Sequence, residues 1–300
     1  MNDDPRVTVL LATYNSARWL DEQLDSIEAQ RGVAVRVVAS DDASTDQTTA
    51  ILDARGVHRL PPSGRRMGNA NRNFQYLVRE APIGQADYVA LSDHDDIWLP
   101  DKLRRAVDTL TATGADAYSS DVLAFWPDGR EQPVVKSQPQ RHYDYLFESA
   151  GPGCTFVFRR GAFDALRTWA RQRCGDLDAV LVHDWAFYAF GRTRGWHWVI
   201  DERVGLRYRQ HGGNELGVNT GRRAVWRRLS AVMSGRWRSD VLAVADAVDD
   251  TTWVSSAMHR FGVGDRLRLC LHARQCRRRA FDAAAVAVFA LIMPRRDARR

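Results

Sequence analysis

Asp93, Asp95 and Asp96 crowd into the short stretch LSDHDDIW. Carboxylates one residue apart can present oxygens to a single hard divalent cation. Mg2+ or Mn2+ would be the ion, since both take oxygen ligands and keep positions open for phosphate. The competing reading is a solvated acidic turn that caps the following helix, because aspartate is favoured in first turns. An isolated Asp-x-Asp is too short and common to separate the two. The setting favours the cation. Residues 88–91 (Tyr-Val-Ala-Leu) form a short apolar run that reads as a buried strand. Acids left bare at its mouth would cost roughly 2–7 kcal/mol per unpaired polar group. His94 should point away from the pair, and Asp96 is assigned a structural role at the start of the next helix.

Other chemistry-bearing residues fall at similar places. Thr13 and Tyr14 end the run RVTVLLA, where Tyr14 either contacts a base or covers the sheet edge. Asp41 and Asp42 end VRVVA; they are turn residues, or one accepts hydrogen bonds from a nucleobase or ribose. Asp184, in HDWAFYAF, is either a helix cap or a carboxylate whose aromatic setting raises its pKa and suits it to general-base work. His211, in YRQHGGN, is by itself more simply structural. Neither lysine follows a glycine, so there is no Walker A loop. No G-x-G-x-x-G follows a strand, and no G-x-S-x-G nucleophile elbow occurs.

The elements that must hold these groups can be read from apolar spacing. Residues 6–13 predict a buried strand of the parallel type. In SARWLDEQLDSIEAQ, Trp19, Leu20, Leu24 and Ile27 recur at helical spacing, with Ser16 as a cap. Residues 35–39 predict a second strand, and Ser44 with Gln47 makes a capping-box pattern opening a helix to Ala54. HRLPP offers an irregular third strand. After Gly68, a helix carries Phe74, Leu77 and Val78 on its apolar face; another, with Leu103, Val107 and Leu110, follows the strand at 88–91. Residues 115–123 predict a further strand. Such alternation argues for an α/β fold with a mostly parallel sheet and right-handed crossovers. Ligands of such sheets bind beyond the carboxyl ends of the strands, so Thr13-Tyr14, Asp41-Asp42 and Asp93-Asp95 should converge in one cleft.

Past Pro127 the pattern loosens into an excursion marked by Pro133 and Pro139. A strand is expected at 155–158, a helix at 182–190, and short strands at 196–200 and 204–209. Beyond Gly221 the chain reads as helical and basic, with Trp226, Leu229, Met233 and Trp237 on one face.

Three hundred residues suffice for one large domain or two smaller ones. The net charge of +6 conceals a division: residues 222–300 hold 17 Arg against 7 Asp and no Lys or Glu, or +10, which leaves −4 for the rest. Arginine outnumbers lysine 41 to 2, most simply a codon-composition bias. No leader segment is expected, and the longest apolar run, 283–293, falls short of the about 20 residues a membrane span needs. Four cysteines without metal-type spacing fit a reducing cytoplasm.

Taken in order, ATYNSARWLDEQLDSIEAQ, SDDASTDQT, GNANRNFQYL, LSDHDDIWLPDKL, HDW and YRQHGGN resemble the motifs of the family-2 glycosyltransferases, in particular bacterial rhamnosyltransferase-like members, over residues 7–217. The resemblance implies a GT-A (Rossmann-like) catalytic domain over residues 1–220, followed by a basic, Trp-containing helical region over 221–300. It implies inverting transfer of a sugar from a dTDP- or UDP-type nucleotide donor to a hydroxyl of a glycan or lipid-linked acceptor, as in cell-envelope polysaccharide synthesis; rhamnose is the suggested sugar. Carried over by residue, Thr13, Tyr14, Asp41 and Asp93 line the nucleotide side. Asp95 and Asp93 hold the divalent cation, Mn2+ or Mg2+, with His211 as a candidate ligand, and Asp184 is the general base. Arg72, Asn73, His183 and Trp185 fall in the acceptor or diphosphate region. The Gln-x-x-Arg-Trp signature of processive synthases is absent, which favours single-sugar addition.

Two rivals stand beside this reading: a silent nucleotide-sugar-binding protein of the same fold, and an Asp-dependent phosphotransferase. For the basic region, Trp226, Trp237 and Trp253 among arginines suit peripheral contact with an anionic membrane at the inner face of the plasma membrane. Ordinary helices packing on the catalytic domain are the alternative. Nucleic acid is not an expected partner.

Overall fold

The run at 6–13 becomes an interior strand of a seven-stranded sheet, beside the central one. The structure, a computed structural model, describes residues 4–64, 66–177, 179–180, 182–212 and 234–293. The chain forms two compact units. The first comprises Met1–Ser137, Gly151–Gln172 and Gly195–Gly217; the second comprises Gln138–Ala150, Arg173–Arg194 and Val218–Arg300.

The first unit begins β1 (Arg6–Thr13), α1 (Leu20–Glu28), β2 (Ala34–Asp41), α2 (Thr48–Ala54), β3 (His58–Arg59) and α3 (Ala70–Glu80). It continues through β4 (Tyr88–Ser92), β5 (Ile97–Trp98), α4 (Lys102–Thr113), β6 (Ala117–Ser120), β7 (Val122–Phe125) and β8 (Glu131–Val134). After an excursion come β9 (Val157–Arg159) and α5 (Arg160–Gln172); later β10 (Trp198–Asp201) and β11 (Leu206–Arg209) complete it.

The large sheet runs β10-β6-β9-β4-β1-β2-β3, and β5-β11-β7-β8 form a smaller one. β1 pairs in parallel with both β2 and β4, while β9 is antiparallel to β4 and β6. The mostly parallel sheet flanked by helices matches the expected fold. Burial explains the sequence pattern, for all but the first residue of β1 and all of β4 are buried, as parallel strands covered on both faces must be. Leu20 and Leu24 of α1 and Leu52 of α2 pack with Leu11 and Ala39 in one cluster. Leu103, Val107 and Leu110 of α4 pack with Val7, Val9 and Ala90 in another. On α3, Phe74, Leu77 and Val78 are fully buried, each stabilising by about 1.5–3 kcal/mol. Arg167 of α5 donates to the carbonyls of Val78 and Ala81, satisfying the end of α3.

Several local expectations are corrected. Ser16 does not cap α1 with its side chain; its carbonyl takes the amides of Trp19 and Leu20, and its hydroxyl accepts from Tyr14 N. Ser44 does not open α2, because its hydroxyl is bound to Asp41. Residues 115–123 form two strands in different sheets, β6 and β7, with the break at Asp121. Its buried carboxylate accepts from Lys136 N (2.6 Å), Ser137 N and the Ser137 hydroxyl, and so pins the segment following β8. Asp96 is followed by β5 rather than by a helix, and α4 begins after Asp101.

The second unit carries α6 (Cys174–Leu177), α7 (His183–Thr193), α8 (Arg236–Ala247), α9 (Trp253–Arg260), α10 (Val263–Leu271) and α11 (Ala280–Ile292), with 3-10 turns at Asp144–Leu146 and Ala273–Gln275. Trp226, Leu229, Met233 and the stretch after Gly212 lie outside the described residues. No helix among the described residues is long and apolar enough to cross a membrane.

Candidate active site

The parallel register sets Thr13 opposite Asp41 and Leu11 opposite Ser92, so the polar ends of β1, β2 and β4 lie side by side. Asp41 is held from three directions. Thr13 Oγ1 donates at 2.9 Å, Ser44 N at 2.9 Å and Ser44 Oγ at 2.5 Å. Ala43 takes the left-handed conformation (φ 59°) to fold the chain back for this turn. Asn15, also left-handed (φ 46°), accepts from Thr45 N and donates its own N–H to Ser44 Oγ, stitching the two loops together. Asp42 is buried and receives the amides of Met67 and Gly68. Tyr14 presents its ring beyond β1, with the Arg66 guanidinium 4.2 Å from its centroid. Asn73 is buried beneath these loops, where its amide nitrogen donates to Thr13 O and Ser40 O and ties β1 to β2. Arg72, one residue earlier on α3, reaches Met67 O.

At the end of β4 the hydroxyl of Ser92 receives Gln23 Nε2 at 2.9 Å and donates to Asp93 O at 2.8 Å. Asp95 Oδ2 lies 2.7 Å from His211 Nε2, joining residues 116 positions apart in the chain. The His211 ring stacks on Trp19, with centroids 4.0 Å apart and planes 20° from parallel. Arg209 positions this corner: its Nε donates to Asp95 O (2.7 Å), its N–H to Asp96 Oδ1 (3.2 Å), and its guanidinium pairs with Glu22 of α1. His94 also lies near Trp19, 6.5 Å between centroids, and burial lowers its pKa.

Asp93, Asp96 and Cys154 bring donor atoms within 4.8 Å of one another, the only such group of three among the described residues. Burial, reinforced by the negative charges of Asp95 and Asp93, pushes the Asp96 carboxyl well up. Burial also pushes the Cys154 thiol well up, with the charges of Asp96 and Asp93 adding to it. A thiol and a carboxyl both shifted toward their protonated forms make a poor donor set for a hard cation, which selects ionised oxygens. The Asp95–His211 pair fits better. Its oxygen and nitrogen stand near the roughly 3 Å spacing of neighbouring ligands around one octahedral ion. Behind these groups Lys102 is fully buried, its Nζ 3.5 Å over the Trp98 ring, and burial lowers its pKa to about 7.

Within the second unit, Asp184 stands half-buried in the first turn of α7, beyond the capping residue Val182. Trp185 donates its indole N–H to Tyr145 O at 2.8 Å, anchoring the helix start. His183 is buried edge-on to Phe187, and burial lowers its pKa to about 3, so it is neutral at physiological pH. The rest of α7 is fixed by Asp144, fully buried, which accepts from Arg192 (2.8 Å) and from the Tyr188 hydroxyl. Sequence reasoning passed over Asp144. An acid amid Tyr143, Tyr145, Leu146 and Phe147 was the available signal, since a charge among aromatics needs a buried partner. Trp19, Glu22, Gln23 and Arg209 were missed as positioning residues too; each looks like an ordinary surface or core residue until the tertiary contact is seen.

The family profile described as glycosyl transferase family 2 matches residues 8–167. The chain belongs to glycosyl transferase family 2. Over 277 residues, 91% of this chain and 96% of the other, it is 36% identical to a dTDP-rhamnosyl transferase, RfbG of Shigella flexneri. Among solved structures, S. aureus TarS 1–349 in complex with UDP superposes with a TM-score of 0.56 at 16% identity, over 95% of this chain and 88% of that one. The mannosyltransferase PcManGT of Pyrobaculum calidifontis, in complex with GDP-Man and Mn2+, gives 0.51 at 18% identity, over 97% and 87%. At such identities the likeness is one of fold, and the fold is GT-A. This family-2 chain is therefore a glycosyltransferase of rhamnosyltransferase-like type. The silent binding protein and the phosphotransferase give way to it.

Proposed function

We propose that this enzyme transfers rhamnose from dTDP-rhamnose to a hydroxyl of a glycan or lipid-linked acceptor, with inversion at the anomeric carbon. The observation that carries the mechanism is the approach of His211 to Asp95 at the strand ends where Thr13 and Asp41 also terminate. The similarity over nearly the whole chain to a dTDP-rhamnosyl transferase supports the choice of donor. A second donor class, UDP-sugars, is the alternative to test.

In this reading Tyr14 and Arg66 offer flat faces to the base, while Thr13, Asp41 and Asp93 line the nucleoside. Asp95 and Asp93, with His211, would hold a divalent cation, Mn2+ or Mg2+, whose charge stabilises the nucleoside diphosphate as it leaves. Arg72 serves the same diphosphate. Asp184 takes the proton of the acceptor hydroxyl as that oxygen bonds to the anomeric carbon and the bond to the diphosphate oxygen breaks. General-base assistance of this kind is worth about 10²–10⁴ in rate. His183 and Trp185 shape the acceptor side, with His183 neutral.

We assign this chemistry to residues 1–220 and a separate, membrane-facing role to the basic region 221–300, with the enzyme working on the cytoplasmic side of the plasma membrane. A thermal-shift panel tests the donor. dTDP-rhamnose with Mn2+ or Mg2+ should raise the melting temperature more than UDP-GlcNAc or GDP-mannose, and chelator should remove the gain. A larger shift with a UDP-sugar would reassign the donor, and no shift with any would remove the donor-site reading.

A further inference from the structure

Apart from Val135, the exposed large apolar side chains of the described residues gather on two helices. Val263, Leu267 and Leu271 recur every four residues along α10, and Phe281, Val288 and Ile292 follow one side of α11. Residues at this spacing lie on one helical face. Leu271 and Phe281 are 82% and 80% exposed, far beyond what isolated surface apolar residues require. The opposite faces are fastened. Leu269, Ala283, Val286 and Ala290 are buried, Arg266 donates to Ala290 O and Met293 O, and Cys270 Sγ donates to Ala287 O. The two helices are thus braced against each other with their apolar stripes outward.

Exposed arginines stand beside the stripes: Arg268 at the end of α10, and Arg274 and Arg279 between the helices. They belong to a segment, residues 222–300, that carries 17 Arg against 7 Asp. An apolar face with basic flanks matches the interfacial layer of an anionic bilayer, where aliphatic and aromatic groups enter the acyl boundary and guanidinium groups meet phosphates. A second copy is the poorer occupant, since pairing two such faces would bring two segments of net charge +10 together.

We propose that α10 and α11 form the membrane-docking surface of this enzyme and that its partner is an anionic lipid bilayer. The inference deepens, and rests on, the membrane contact in the function proposed above. It also changes which residues carry that contact. Trp237 packs against Phe147 (5.8 Å) and Phe289 (6.0 Å), and Trp253 against Tyr143 (5.7 Å) with Arg268 over its ring. These tryptophans brace the second unit from within.

Flotation of the full chain with phosphatidylcholine vesicles, with and without phosphatidylglycerol, tests this. Binding is expected only to the anionic vesicles and only at low salt. The triple change Leu267→Ser, Leu271→Ser, Phe281→Ser should abolish it; all three side chains are exposed, and circular dichroism confirms the fold. Separately, Arg268→Gln, Arg274→Gln and Arg279→Gln together should weaken partitioning on the order of 100-fold, at about five-fold per arginine. If the parent ignores anionic vesicles, both this surface and the membrane contact fall. If the parent binds and both triple variants bind equally well, this surface alone is wrong. A parent that dimerises without lipid and a serine variant that does not would assign the face to a second copy instead.

Discussion

Replacing His211 by alanine separates a ligand-holding histidine from a merely structural one. The ring makes two contacts of consequence, a 2.7 Å hydrogen bond with Asp95 and a stack on Trp19 at 4.0 Å. A hydrogen bond to a charged group is worth about 1.5–3 kcal/mol and an aromatic stack about 0.5–1.5 kcal/mol. The site is partly open, so about 2 kcal/mol is the expected loss without ligand, or roughly 4–8 °C in melting temperature at about 2–4 °C per kcal/mol. The second readout is the gain from donor. At a hundred times its Kd, a nucleotide sugar with Mn2+ stabilises the parent by about 2.7 kcal/mol. If losing His211 weakens that complex a hundredfold, the gain at the same concentration falls to about 0.4 kcal/mol, a shift of about 1 °C. The assay is paired thermal unfolding, with and without Mn2+ and donor, at fixed protein concentration. A variant that melts low by itself yet keeps the full donor-dependent gain would make His211 a positioning partner of Asp95 and nothing more.

Three further outcomes are expected. Asp184→Asn should lower turnover by about 10²–10⁴ while leaving the donor-induced thermal shift intact; normal turnover in a sugar-transfer assay would remove Asp184 from the mechanism. Asp95→Ala should lose the difference between Mn2+ and chelator in donor titrations, and a persisting difference would move the cation elsewhere. Lys102→Met should stabilise the protein at pH 6 on the order of 2–3 kcal/mol. About 5 kcal/mol corresponds to the drop from 10.5 to about 7, and losing the contact with Trp98 offsets about 2. Between about pH 7 and 10.5 the unfolded chain holds the extra proton, so the parent gains stability as pH rises and the variant's advantage shrinks. An advantage independent of pH in urea unfolding would contradict this.

Features carried by short-range periodicity were legible in the chain. β1 and β4 announce themselves as apolar runs because both of their faces are covered, and α3 by the three-and-four spacing of Phe74, Leu77 and Val78. The clustering of Thr13, Asp41 and Asp93 at one sheet edge followed from parallel topology alone. Contacts between distant residues left no such trace. Nothing near position 95 points to His211, and Arg209 reads as one more arginine in an arginine-rich chain until its donors are seen on Asp95 and Asp96. The β6–β7 break was hidden for a related reason: AYSSDVLAF has no glycine or proline, and the chain changes sheets there because Asp121 gathers three donors from a later segment. The fate of Asp96 was misread because two adjacent acids look alike in sequence, while one points to His211 and the other is closed off with Cys154.

That difference between neighbouring acids gives meaning to an oddity of composition. A chain with 41 arginines and 2 lysines places one of the lysines fully buried behind the strand end, over Trp98. Arginine cannot shed its proton in a protein, so a guanidinium there would be a permanent buried charge. Lysine can become neutral, and burial already brings it to about 7. The same burial moves Asp96 and Cys154 toward their protonated forms. The layer behind the site therefore tends toward neutrality from both sides. In the function proposed above, a cation held by Asp93 and Asp95 would then sit against a floor of reduced charge. A fixed positive charge in that floor would oppose cation binding, which is a physical reason for lysine at this position despite the chain's strong bias toward arginine.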